Sequence, residues 1–412
     1  MTSAASGAVT VNYTVQPTRI LDERGMVMKN MEDVLTRPVN RRSFIKNGAI
    51  AAGAATVGAG LLSHGLAAFA QDTNTGGSLT PGDIAILRFL AAAELIETDL
   101  WIQYAELGGI GNNPPIEVDP NQPLNNYQIA LSNLDGDGPQ YISSNTLDEA
   151  SHAAFLNAYL ESKGADPVNL DKFRTLQGSK AGPAANIGRL TNLMKLNVDT
   201  SWYVRYRSTT NPDFGATFPQ ALTLNGVTAI PRTDADFNGP PFQNATSIPG
   251  NVHIQAIANV AAFHFGMIEQ GGSSLYAALS QKVSSLEVLK ITLGIGGDEV
   301  AHFLEWVDFA GNGVQAPVAP FTDPISGLKF PNFFSPLNKL IQPSLIFPVP
   351  CEFISPDLPL CAVIRPSDDK FAGAMAAVKG LTADGLFIGQ SSEFFSFVGQ
   401  LASAADAATR QL

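Results

Sequence analysis

The sequence predicts an all-α protein centred on a bundle of four long helices. Three observations carry that expectation. Four apolar stretches have helical length and are bounded by start and stop signals. The pattern Asp-Glu-x-x-His occurs twice. An internal repeat relates the first two stretches to the last two.

The first helix is expected over about Asp83 to Leu107. Thr80 is its cap and Pro81 lies in its first turn, where the missing N–H costs nothing. Gly108-Gly109 stops it. A Pro/Asn-rich loop follows, then a second helix from about Ser143 to Lys163, closed by Gly164. Residues 165–250 read as an insertion holding one amphipathic helix, roughly Ala184 to Arg207, and a Pro/Gly/Asn-rich excursion. The third helix is expected from about Asn251 to Leu279 and the fourth from Ser285 to Ala310. The chain from Gly311 to Pro366 is proline-rich and irregular, with two short helical patterns after it. Residues 311–412 are therefore expected to pack on the bundle as an extension, without a core of their own.

The two motifs are Asp148-Glu149-Ala150-Ser151-His152 and Asp298-Glu299-Val300-Ala301-His302. The chain has five histidines, and two of them stand three residues after a glutamate in apolar helical surroundings. At about 100° and 1.5 Å per residue, such a pair points nearly the same way, one turn apart. A carboxylate oxygen and an imidazole nitrogen can then hold one ion from a single helix face. Each motif also has an aromatic residue close behind, Phe155 and Phe303.

The repeat supplies two more glutamates. Ile96-Glu97 is followed by Tyr104-Ala105 and Leu107, and Ile268-Glu269 by Tyr276-Ala277 and Leu279 at the same spacing. The chain order is thus Glu, Glu-x-x-His, Glu, Glu-x-x-His. Two helical hairpins related by a pseudo-two-fold would turn Glu97, Glu149, His152, Glu269, Glu299 and His302 inward together.

This arrangement resembles the ferritin-like dimetal-carboxylate bundle, in which two helices each give a glutamate and two give Glu-x-x-His. Phe89-Leu90-Ala91-Ala92-Ala93-Glu94-Leu95-Ile96-Glu97 and Met267-Ile268-Glu269-Gln270-Gly271-Gly272 are similar to the bacterial and plant desiccation-related ferritin-like proteins. The resemblance spans about Pro81 to Ala310 without the insertion. It implies two divalent ions, iron or manganese, and redox chemistry on dioxygen or peroxide, as an oxidase or a catalase-like activity. An alternative is a non-catalytic stress, desiccation-related or surface protein that keeps a structural metal site.

Four carboxylates match the charge of two divalent ions and leave both imidazoles neutral. Oxygen and imidazole donors suit iron and manganese. The competing expectation is a buried cluster that satisfies itself, which requires some carboxyls to be neutralised. Helix one offers two inward glutamates. The repeat selects Glu97, and Glu94 is then an alternate ligand or a residue supporting one. Asp148 and Asp298 either accept a hydrogen bond from a ligand histidine across the bundle or lie exposed. Tyr104 and Tyr276 are expected to pack with bonded hydroxyls. Gly271, Gly272, Gly296 and Gly297 are expected to mark close packing. His264 lies about 140° around the helix from Glu269 and is expected outside the site. His253 is expected at the surface. The aromatic run from Trp202 to Arg207 is expected to cover the bundle.

The N-terminus reads as an export signal. Arg41-Arg42-Ser43-Phe44-Ile45-Lys46 resembles the twin-arginine signature, and Ala68-Phe69-Ala70 offers a cleavage site before Gln71. Residues 1–70 are the signal region and 71–82 a linker. A membrane-spanning helix from Gly48 to Ala70 is the rival reading; five glycines, many alanines and His64 make it a poor anchor. The expected partner is the twin-arginine export machinery, and the expected location is periplasmic or extracellular.

Net charge is −12, and residues 71–412 carry 18 basic against 33 acidic groups. A body this acidic repels phosphate backbones, so nucleic acid is excluded as a partner. With two cysteines, Cys351 and Cys361, a thiolate-rich site is excluded; in an oxidising compartment the pair can close a short loop. An oligomer is compatible with this sequence, but a storage cage is disfavoured by the insertion and the tail.

Overall fold

The computed structural model describes residues 79–411, except 111, 114–115, 118–122, 206–221, 243–247, 334–347, 350–353, 356 and 363–372. The twin-arginine signature, the stretch from Gly48 to Ala70, Tyr206, Arg207 and Cys351 lie outside the described residues. The fold is mostly helical, with short two-stranded pairings in the connections.

Helix α1, Pro81–Gly108, begins where its cap requires: Thr80 accepts from the Asp83 backbone N–H, and Pro81 sits in the first turn. A short helix, α2 (Asn126–Ser132), lies in the stretch expected to be loop. Its capping box explains it, because Asn125 accepts from the Gln128 backbone while the Gln128 side chain accepts from Asn125. Helix α3, Gly138–Ser162, starts one turn before the expected Ser143, with Pro139 in its first turn. Helix α4, Val252–Ser280, is capped by Asn251, and α5, Leu286–Asn312, by Ser285.

Helix α1 packs along α3, and α4 along α5. Contacts between α3 and α5 complete the enclosure of the polar residues described below. Helix α4 is buried on nearly all faces, as expected for a helix apolar all round. Its Phe265 packs against Trp101, Trp306 and Phe309 of the neighbouring helices at ring-centroid distances of 4.6–6.0 Å. No helix among the described residues is long and apolar enough to cross a membrane.

The expected helix from Ala184 to Arg207 does not form. Gly188–Arg189 pairs with Leu176–Gln177, Leu196–Asp199 pairs with Thr223–Val227, and only Trp202–Arg205 makes a helical turn. Leu190, Leu193 and Leu196 keep a helix-like spacing and are all fully buried. Tertiary hydrogen bonds override that period. The carboxylate of Asp99, on α1, accepts from the Leu190 and Thr191 backbone N–H groups, from Thr191 Oγ1 and from Arg174. Those amides are thereby withdrawn from helical pairing. Trp202 does cover the helices: its ring meets Phe263 and Phe303, and its Nε1–H donates to the Phe263 carbonyl.

In the tail, α6 (Ala374–Ala383) and α7 (Ser392–Asp406) pack on each other; α7 lies against α1 and α6 against α4. Asp406 accepts from the backbone N–H groups of Ala374 and Met375, tying the end of one to the start of the other.

Candidate metal centre

The four long helices bring Glu94, Glu97, Glu149, His152, Glu269, Glu299 and His302 together. Glu149, Glu269 and Glu299 are fully buried, Glu94 is 1% exposed, and Glu97 is half-buried. The Nδ1 atoms of both histidines face the glutamates. His152 Nδ1 lies 3.2 Å from Glu149 Oε2, 3.5 Å from Glu94 Oε2 and 3.8 Å from Glu299 Oε1. His302 Nδ1 lies 3.0 Å from Glu149 Oε1 and 3.3 Å from Glu269 Oε2. The ring centroids are 6.4 Å apart.

These atoms fall into overlapping sets whose candidate donor atoms lie within 4.8 Å of one another. One set is Glu94, Glu149, His152 and Glu299; another is Glu149, Glu269 and His302; a third is Glu97, Glu269 and Glu299. The two carboxylates at the i positions of the Glu-x-x-His motifs are shared between sets, as their central place among the helices allows.

The Nε2 atoms face outward to the aspartates of the opposite motif. His152 Nε2 is 3.1 Å from Asp298 Oδ2, and His302 Nε2 is 3.4 Å from Asp148 Oδ2. Both aspartates are also nearly half exposed, so each fulfils both expectations weighed for it. Such a contact fixes the ring orientation and leaves Nδ1 as the atom offered inward.

Glu94 and Glu97 are both part of the cluster. The repeat favours Glu97, but it is Glu94 that stands beside Glu149 and His152. Tyr276 explains its position: the phenol donates a hydrogen bond to Glu94 Oε1. Tyr104 takes a different partner, with its hydroxyl 2.7 Å from His264 Nδ1, and His264 lies outside the cluster as its angle on the helix requires.

Asn145 is a site residue that the motif reading missed. Its Nδ2 donates to Glu149 Oε1 and Glu269 Oε1, at 3.0 Å each, and its Oδ1 accepts from Trp306 Nε1 at 3.0 Å. Its place four residues before Glu149 was the available signal, since i and i+4 share a helix face. Gly272 is explained by the same cluster: a Cβ there would overlap Glu299 Oε2. Gly296 lies against Tyr276, whereas Gly297 meets nothing, so packing accounts for one of that pair only.

His253 is buried, contrary to the surface position expected of it. Its Nδ1 is 2.8 Å from Asp323 Oδ2 and its Nε2 is 3.3 Å from Asp236 Oδ1. The opening of α4 is met there by the segments that carry Asp236 and Asp323.

Charge is the defining property of the cluster. Among the described residues, none of the five glutamates pairs with a lysine or arginine; the ionic partners of Glu94, Glu149, Glu269 and Glu299 are the two histidines. Burial raises the Glu94 carboxyl to about 7, and raises those of Glu97 and Glu299 well above the usual range, reinforced by the neighbouring carboxylates. Burial alone would lower both imidazoles. The charge of Glu94 and bonds to Asp298 and Glu149 instead raise His152, and contacts with Asp148, Glu149 and Glu269 raise His302. Every one of these shifts draws a proton in. A set of donors that takes up protons in this way is one that lacks positive charge, which metal ions can supply.

The donors fit a metal on a second ground. Glu94 Oε2, Glu97 Oε1, Glu269 Oε2, His302 Nδ1 and both carboxylate oxygens of Glu299 are buried without a hydrogen-bond partner. Unpaired buried acceptors cost about 1–3 kcal/mol each, more when charged. The cluster can therefore hold a metal ion, through carboxylate oxygens and imidazole nitrogen. No protein-family model, curated protein or solved structure matches this chain.

Proposed function

We propose that this chain is an exported ferritin-like dimetal-carboxylate protein that carries out redox chemistry on dioxygen or peroxide. In this reading, residues 83–310 form a four-helix bundle interrupted by an insertion at 165–250. A twin-arginine signal region (1–70) and a linker precede it, and an extension (311–412) packs on it. The observation that carries the proposal is the set of buried, unpaired carboxylate oxygens facing two imidazole Nδ1 atoms.

Two divalent ions are proposed, iron or manganese, because the donors are carboxylates and imidazoles without thiolate. His152, Glu149 and Glu94 would hold one; His302 and Glu269 would hold the other; Glu149 and Glu299 stand between them. Bound there, the ions would supply two-electron redox capacity toward a small oxidant. The chain does the rest. Asp298 and Asp148 hold the Nε2 protons, so that Nδ1 keeps its lone pair for the site. Asn145 fixes one oxygen each of Glu149 and Glu269, and Tyr276 one oxygen of Glu94. The stacked aromatic residues beneath exclude bulk water and lower the local dielectric.

Elemental analysis of the exported protein tests this. Close to two iron or manganese ions per chain are expected, with distinctly fewer in His152→Ala or His302→Ala, and peroxide or dioxygen turnover should follow occupancy. Wild type that stays metal-free after reconstitution with both metals defeats the reading. Full occupancy without turnover leaves the non-catalytic, structural-metal alternative in its place. Export is tested by replacing Arg41 and Arg42 with lysine, which should strand the protein in the cytoplasm.

A further inference from the structure

Glu97 has no place in either histidine-containing set. It lies one turn beyond Glu94 on α1, and its grouping is with Glu269 and Glu299 only. These three carboxylates come from three different helices, α1, α4 and α5. One oxygen on each of Glu97 and Glu269, and both on Glu299, are buried without a hydrogen bond; Glu269 Oε2 also lies 3.3 Å from His302 Nδ1, so this carboxylate is shared with the second set. Glu299 has two oxygens, so it can face His152 with one and the Glu97 side with the other. Gly272 stands against the Oε2 atom, and any larger residue there would fill the space beside it.

Five glutamates face this interior, one more than two divalent ions neutralise. The carboxylate furthest from either imidazole is Glu97, which is also the one with partial access to solvent.

We propose that Glu97, Glu269 and Glu299 form a third cation position, distinct from the two histidine-bearing ones. With oxygen donors only, it would take a hard divalent cation such as manganese or magnesium. Gly272 lets Glu299 Oε2 lie against the α4 backbone on this side, where a side chain would displace it. The rival explanation is a proton kept on Glu97, favoured by the burial that raises its carboxyl. Glu97→Gln mimics that neutral form, so stoichiometry separates the two.

The inference rests on the dimetal reading for its neighbouring positions, and the experiment keeps the two apart. Metal-free exported protein is titrated anaerobically with Mn²⁺, and free Mn²⁺ is followed by its electron paramagnetic resonance signal. Wild type should bind three ions, E97Q two and H152A two. Two ions in wild type, with either two or one in E97Q, overturns the third position and leaves the dimetal reading intact. No binding in wild type removes both. Circular dichroism checks the fold of E97Q; should it fail to fold, three ions in wild type favour the position and two reject it.

Discussion

His253 and the pair His152/His302 are all buried between carboxylates supplied by other elements, yet their charges balance differently. At His253 the partners are Asp236 and Asp323, and Arg232 also binds Asp236, with Nε 3.1 Å from its Oδ2. An imidazolium and a guanidinium face two carboxylates, and the cluster is complete. Bonds to Asp236 and Asp323 raise His253 to about 9, and both aspartates are held below their usual range despite burial. At His152 and His302, five glutamates and two aspartates face two imidazoles. There Glu94, Glu97 and Glu299 are pushed up, and oxygens of Glu94, Glu97, Glu269 and Glu299 lack hydrogen-bond partners. Similar residue types thus form a finished structural clamp in one place and a charge-deficient site in the other. The difference lies in stoichiometry, and a buried histidine–carboxylate contact by itself distinguishes neither.

The sharpest way to break the comparison is to unbalance the clamp. Asp323→Ala should leave the buried His253 charge with one partner and destabilise the fold by about 3–5 kcal/mol, read by urea denaturation. It should leave metal content unchanged. A loss of metal in this variant would mean that the two regions are not separate.

Next in size is the response to ions. A divalent ion at 100 times its Kd should stabilise the wild type by about 2.7 kcal/mol per site, seen as a raised unfolding midpoint. The metal-free Glu299→Gln variant should be more stable than metal-free wild type at neutral pH, because one repelling buried carboxylate is gone. Its response to metal should be reduced. Equal or lower stability of that metal-free variant would show that the cluster satisfies itself.

Asp298→Asn tests the outward contact of His152. Loss of the carboxylate that holds Nε2 should weaken metal binding by about ten- to a hundredfold, measured by competition with a chelator. The same substitution should scarcely alter unfolding of the metal-free protein, since Asp298 is nearly half exposed.

The most gradual effect is a pH slope. The folded pKa of His253 is raised, so its contribution is fully present below the unfolded value of about 6.5 and is lost as pH rises through about 9. Stability should fall over that interval by at most about 1.4 kcal/mol per pH unit. His253→Gln should flatten that part of the profile.

What the sequence determined was local. The capped starts of three of the four long helices follow from Thr80, Asn251 and Ser285, whose side chains act within three residues. The angle between i and i+3 made Glu149 with His152 legible before any tertiary contact was known, whereas Glu299 and His302 take partners from other helices, Glu299 facing His152 and His302 facing Glu149 and Glu269. The repeat ranked Glu97 above Glu94; in the fold both belong to the cluster, Glu97 with Glu269 and Glu299, and Glu94 with Glu149 and His152, where Tyr276, 182 positions away, bonds it.

The same limit explains the remaining differences. Asn145 became a site residue through Glu269 and Trp306 on other helices. His253 became buried through Asp236 in the insertion and Asp323 in the tail. Leu190 and Thr191 left the helical pattern because Asp99, some ninety positions earlier, took their amides. Helix spacing is set by neighbours along the chain. The choice among equivalent carboxylates, and the burial of a charge, are set by partners that only the folded chain brings near, since the electrostatic and desolvation energies that decide them depend on distance through space.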